Sequence, residues 1–216
     1  MSDVEGGGSS DGRMVSRMLF FADAVFAIVL TLMVLDLRTP AAETDAELLD
    51  AIIGLKPKFV AFFASFALVS VFWASHMAIT RKMSAFDWPT AWLNLVFLFT
   101  IAVMPFVSGL IGERGMFGVA WQAYCVALIA ASLAQTALLL ALTRGNGRFV
   151  TIVSGRERIW RTLRALSPGI AFAGGLALSL EGQDLLSQFC WMLIPVILIV
   201  ARLCVGPRKE VGAADA

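Results

Sequence analysis

Residues Arg17 to Leu37 read RMLFFADAVFAIVLTLMVLDL. Beyond Arg17 the stretch is apolar except for Asp23, Thr31 and Asp36. A bilayer core of about 30 Å needs roughly 20 apolar residues at about 1.5 Å rise each. The stretch therefore predicts a transmembrane helix over Met18–Leu37. Arg17 stands at one edge, where an arginine ordinarily snorkels to the headgroups. Asp23 lies about 9 Å deeper along the axis. A carboxylate there is unfavourable against lipid by a few kcal/mol on insertion scales, roughly 3 at the helix centre. It must face protein or a water-filled cavity.

At 100° per residue, Arg17 and Asp23 differ by about 120° around the helix, so they are not a same-face pair. Partners for Asp23 have to come from other helices. Trp73 and His76, at i and i+3, share one face of a second helix, and Asn94 lies on a third. All four of Asp23, Trp73, His76 and Asn94 can take part in hydrogen bonds. Two readings stand side by side. One is a buried polar network, with Arg17 at its edge, that locks three helices together. The other is a proton relay or ion site drawing on a histidine that titrates near neutrality. Further along, Ile28, Leu32 and Leu35 form one stripe at i, i+4, i+7, with Thr31 beside it. Such a stripe packs, faces lipid, or forms apolar rings that narrow a pore by dewetting. Asp36 at the outer end either gathers cations at a pore mouth or simply ends the span.

The rest of the chain agrees with a membrane origin. Of 216 residues, 59% are hydrophobic and 15% charged, with mean hydropathy +0.82. A soluble domain is about 45–50% apolar and about 25% charged. Net charge is +1, so no basic field points to nucleic acid. One histidine and three cysteines in apolar runs (Cys125, Cys190, Cys204) provide neither a zinc site nor a disulfide framework. No cofactor is expected. An intramembrane enzyme would need a nucleophile with a base, or a metal cluster, and scattered carboxylates with a lone histidine do not make one.

Further spans are expected at Phe59–Thr80, Thr90–Ile111, Phe117–Leu142, Leu163–Leu180 and Leu185–Val205, giving six in an all-α fold. The fifth is the weakest, being short and containing Pro168, Gly169, Gly174 and Gly175. Charge supports it nonetheless. With the N-terminus cytoplasmic, 13 of the 17 basic residues fall inside, and only Arg38, Lys56, Lys58 and Arg114 outside. Without the fifth span the basic C-terminal stretch would lie on the wrong side. Both termini are therefore expected in the cytoplasm, with one membrane domain over residues 13–206 and flexible tails at 1–12 and 207–216. The N-terminal stretch lacks the basic start of a signal peptide. The loop Thr143–Arg161 is basic enough to rest on anionic headgroups. Ala171, Gly175 and Ser179 make a small-xxx-small row, which allows close helix approach within or between subunits.

Arg17, Phe21, Ala22 and Asp23, followed by AVFAIVLTLMVLDL, resemble the R-x-x-x-F-[SA]-D first helix of the transmembrane protein 175 family. That family comprises the endosomal and lysosomal potassium channel and prokaryotic homologues. FWASH (Phe72 to His76) and NLVFLFTIAVMPF (Asn94 to Phe106) continue the resemblance through the first half of the chain. It implies a six-helix subunit, a homotetramer in prokaryotes, and a pore lined by the first helix without a Thr-Val-Gly-Tyr-Gly filter. On this resemblance Ile28 is the narrowest ring, Leu32 and Leu35 the next layers, and Thr31 the hydroxyl layer. Ala22 and Ala27 stand where the family offers serine, which implies modest potassium selectivity. The implied function is a potassium-permeable cation channel of the plasma membrane, with potassium as the permeant ion. A proton-coupled secondary transporter using Asp23 and His76 is the alternative. It would be favoured by paired inverted repeats, and the sequence shows none.

Overall fold

The computed structural model describes residues 10–81, 83, 85, 87–115, 117–144 and 155–205. Most of both expected tails, and the middle of the basic loop 143–161, lie outside the described residues. Among the described residues the regular structure is helical: α1 (Ser10–Leu32, continued by a 3-10 turn, Met33–Asp36), α2 (Asp45–Gly54), α3 (Lys56–Thr80), α4 (Trp88–Ala102), α5 (Met104–Arg114), α6 (Gly118–Leu142), α7 (Gly155–Leu180), α8 (Asp184–Ser187) and α9 (Leu193–Val205, preceded by a 3-10 turn, Cys190–Met192). These make six segments long and apolar enough to cross a membrane, the third being α4 with α5 and the sixth α8 through α9.

Several helices begin earlier than apolarity alone predicts, because polar residues supply their first turns. α1 starts at Ser10 and α7 at Gly155, against expected starts at Met18 and Leu163. The added turns of α7 carry Arg156, Arg158 and Arg161, good helix formers, and Glu157 pairs with Arg161 at i, i+4. α4 is capped by Asp87, whose carboxylate accepts the Thr90 N–H at 3.0 Å. Pro105 has no N–H to offer Ile101, and the third span breaks at Val103 between α4 and α5. α2 had no counterpart in the sequence reading. Its N-terminus is held by Thr44, which accepts the Glu47 N–H at 3.3 Å, while the Glu47 carboxylate accepts the Glu43 N–H at 3.0 Å.

α6 is the hub: it packs on α4, α5 and α7. α7 in turn carries α8 and α9, α3 lies against α5, and α1 packs on α4 and α3 at the edge of the bundle. The contact between α6 and α7 explains why the proline-containing fifth span remains one helix. Pro168 leaves the Arg164 carbonyl without its usual partner, and Ser167 Oγ donates to that carbonyl at 3.0 Å. One residue on, Ser132 of α6 inserts its hydroxyl into the α7 ladder. Its Oγ accepts the Gly169 N–H at 3.0 Å and donates to the Ala165 carbonyl at 2.7 Å. Backbone groups freed inside a membrane helix must find partners in neighbouring helices, and here two serines supply them. Gly169 is what admits Ser132, since a Cβ there would sit 2.8 Å from its Oγ. The small row of Ala171, Gly175 and Ser179 is used for packing within the chain. A Cβ on Gly175 would lie 2.7 Å from Cys190 Sγ, and Ser179 Oγ donates to Asp184 at 2.6 Å.

Candidate functional site

α1 has two unlike faces. Ala22, Phe26, Val29 and Met33 recur at helical spacing and are buried against the rest of the bundle. Phe26 anchors this side, with its ring 6.0 Å from both His76 of α3 and Phe97 of α4. On the other side Asp23, Ala24, Ala27, Ile28, Thr31, Leu32 and Leu35 are exposed. Ile28 is 57% and Leu35 66% exposed, so the stripe holding the expected pore layers touches little of the rest of the chain. The Thr31 hydroxyl donates to its own helix, at 2.8 Å from the Ile28 carbonyl and 3.0 Å from that of Ala27. This leaves its lone pairs directed outward.

The five residues of the expected polar network form two separate pairs and one outlier. Trp73 Nε1 donates to Asp23 Oδ1 at 3.0 Å, joining α3 to α1. His76 Nε2 lies 2.9 Å from Asn94 Oδ1, joining α3 to α4. Phe97 stacks on the His76 ring at 5.5 Å, one turn from Asn94 on the same helix face. No hydrogen bond between the two pairs occurs among the described residues. Arg17 is exposed and makes neither a hydrogen bond nor an ion pair there. Its roughly 120° offset from Asp23 accounts for this.

Asp36 follows a different path from the stripe. The 3-10 turn swings its carboxylate onto α5, so that a Cβ on Gly109 would lie 2.6 Å from Asp36 Oδ2. It thus leans on α5 of the same chain. Beside it, Lys58 Nζ donates to Glu113 Oε1 at 2.9 Å and ties the start of α3 to the end of α5.

Sequence reading missed the hydrogen bonds that hold the site's scaffold to α6. Gln135 Nε2 donates to the Phe72 carbonyl at 2.9 Å, one residue before Trp73. Ser65 Oγ and Tyr124 Oη lie 2.9 Å apart between α3 and α6. The only advance signal was the presence of polar side chains in an apolar helix, which does not name a partner. Among the described residues no three histidine, cysteine, aspartate or glutamate side chains are placed to hold a metal ion.

The family model described as the endosomal/lysosomal potassium channel TMEM175 matches residues 17–105, which contain the Asp23–Trp73 and His76–Asn94 pairs. A potassium channel of Streptomyces collinus is 30% identical over 137 residues, covering 62% of this chain and 66% of that one. A potassium channel of a Chryseobacterium species is 30% identical over 131 residues, covering 61% and 66%. The human endosomal/lysosomal proton channel TMEM175 is 26% identical over 124 residues, 57% of this chain and 25% of that one. The matched part thus spans just under two thirds of the two bacterial relatives. The crystal structure of a lysosomal potassium-selective channel TMEM175 homolog from Chamaesiphon minutus shares the fold. Its TM-score is 0.72 at 23% identity, over 88% of this chain and 98% of that one. In the first-helix motif, the two hydrogen-bonded pairs and the six-span fold, the chain resembles the TMEM175 family.

Proposed function

We propose that this protein is the subunit of a potassium-permeable cation channel of the plasma membrane, a homotetramer with α1 of each copy around a central pore. Residues 13–206 form the channel domain, and both termini face the cytoplasm. The observation that carries the reading is the bare face of α1. It sets a carboxylate, Asp23, and a threonine, Thr31, on the same uncovered side as Ile28, Leu32 and Leu35. A charge and a hydroxyl are poorly matched to lipid, whereas a symmetric assembly turns one stripe into closed layers around an axis. The bacterial relatives named potassium channels support the same function. In this reading Ile28 is the narrowest layer, Leu32 and Leu35 follow toward the outside, Thr31 adds a hydroxyl layer, and Asp36 stands at the mouth. Arg17, Asp23, Trp73, His76 and Asn94 are supporting residues around the pore helix. A relay through Asp23 and His76 has less support, because their two hydrogen-bonded pairs are not linked to each other.

An ion crossing an apolar ring sheds water without gaining oxygen ligands, so the ring is a barrier. Ile28→Asn replaces that barrier with amides that hold water. Reconstituted in planar bilayers under a potassium/sodium gradient, the wild type should give single-channel steps and a reversal potential favouring potassium. The variant should show higher conductance and weaker discrimination. Normal assembly with unchanged conductance and selectivity removes Ile28 from the pore.

A further inference from the structure

The start of α7 and the end of α9 meet at one edge of the bundle, and the meeting is fixed by an arginine. Arg156 Nε donates to the Val205 carbonyl at 3.3 Å and Arg156 Nη2 to the Cys204 carbonyl at 3.1 Å. These are terminal carbonyls of α9, where a cation is favoured by both hydrogen bonding and the helix dipole. The cap brings together α7, with Arg158, Arg161 and Arg164, and the last turn of α9, with Arg202. Arg161 is engaged by Glu157, the only acidic residue in either helix. Arg158, Arg164 and Arg202 are exposed and make no hydrogen bond or ion pair among the described residues. This leaves three uncommitted guanidinium groups on the two helices that the Arg156 cap joins. Ile159, Ile199, Val200 and Leu203 stand exposed on the same two helix segments.

We propose that this junction of α7 and α9 binds the headgroup of an anionic phospholipid. Guanidinium groups match a phosphodiester in charge and can engage it through paired N–H donors. Basic pockets between membrane helices are the general form of such sites. The adjoining exposed aliphatic side chains select a lipid over a free anion, because only a lipid brings acyl chains to cover them. Seated there, the headgroup bridges α7 and α9 and supplements the Arg156 cap.

Native mass spectrometry of the detergent-purified oligomer tests the site, with phosphatidylglycerol or phosphatidylcholine added at equal concentration. Phosphatidylglycerol should be retained in preference to phosphatidylcholine. Each Arg→Gln change at Arg158, Arg164 or Arg202 should weaken that retention about fivefold, the equivalent of about 1 kcal/mol per arginine near a membrane surface. The triple Arg→Lys variant keeps the charge but loses the fork, and should retain more lipid than triple Gln and less than wild type. Should triple Gln not yield intact oligomer, the single Arg164→Gln variant carries the measurement. Equal retention of the two lipids by wild type, or undiminished phosphatidylglycerol retention by Arg164→Gln and the triple variants, overturns the proposal.

Discussion

α6 and α1 are both long apolar helices, and hydropathy hardly separates them, yet they do opposite things. In α6, 56% of the most apolar stretch is buried inside the subunit; in α1 the figure is 22%. α6 spends its polar side chains inward: Gln135 on the Phe72 carbonyl, Ser132 on the α7 ladder, Tyr124 with Ser65. α1 buries one stripe, Ala22 to Met33, and presents Asp23 and Thr31 on the side left bare. Apolarity carries a helix into the membrane, but the direction of its few polar groups decides whether it builds the subunit or faces something beyond it. In lipid, apolar burial gives little driving force between helices, so close packing and hydrogen bonds must set the arrangement.

The strongest way to break the contrast is to spoil the hub. Gly169→Leu places side-chain atoms where Ser132 Oγ stands, 2.8 Å from the new Cβ, and separates α6 from α7. Overpacking, together with backbone groups left unpaired around Pro168, should destabilise the subunit by about 2–5 kcal/mol. The expected result is loss of monodisperse protein in fluorescence-detected size exclusion. A well-folded Gly169→Leu protein would mean that the serine insertion does not organise this contact.

A smaller effect is expected at the edge. Asp23→Ala removes the acceptor of Trp73 Nε1. A hydrogen bond to a charged group contributes about 1.5–3 kcal/mol, so intact oligomer in detergent should fall while the isolated α6–α7 contact is untouched. Trp73→Phe should show the same loss in milder form. An Asp23→Ala protein that assembles normally and loses only conduction would place Asp23 directly on the ion path.

These cases also show how far sequence carries. Asp23 was legible because a carboxylate in an apolar helix demands a partner, and Trp73 and His76 because they share a helix face. Which of them would meet Asp23 was not legible: Trp73 takes it, and His76 goes to Asn94. That choice depends on the rotation of α3 against α1 and α4, a tertiary quantity. The six spans followed from length, hydropathy and, for the fifth, the distribution of charge, but the first turns of α1 and α7 did not, since polar helix and polar loop read alike. α2 was hidden for the same reason, since a short helix with three acidic residues reads like a polar loop. Ser132 was the least visible of all. A serine in an apolar helix gives no sign that it repairs a proline break 36 residues away.

The finest test compares two neighbours on α1. Val29 is 3% exposed and faces the subunit; Ile28, one residue earlier and about 100° away, is 57% exposed. Val29→Ala removes two methyl groups from a packed site and should lower stability by about 1 kcal/mol, read as a reduced thermal midpoint of the purified protein. Ile28→Ala removes more carbon, yet in the subunit it leaves no cavity, and its effect should stay within about 0.5 kcal/mol. Conduction should reverse the order. If Ile28 lines the pore, shortening it widens the apolar ring and raises single-channel conductance, whereas Val29→Ala acts behind the pore helix and leaves conductance near wild type. Equal thermal shifts for the two variants, with conductance unchanged in both, would make the exposed stripe of α1 a packing or lipid face and remove the distinction between its two sides.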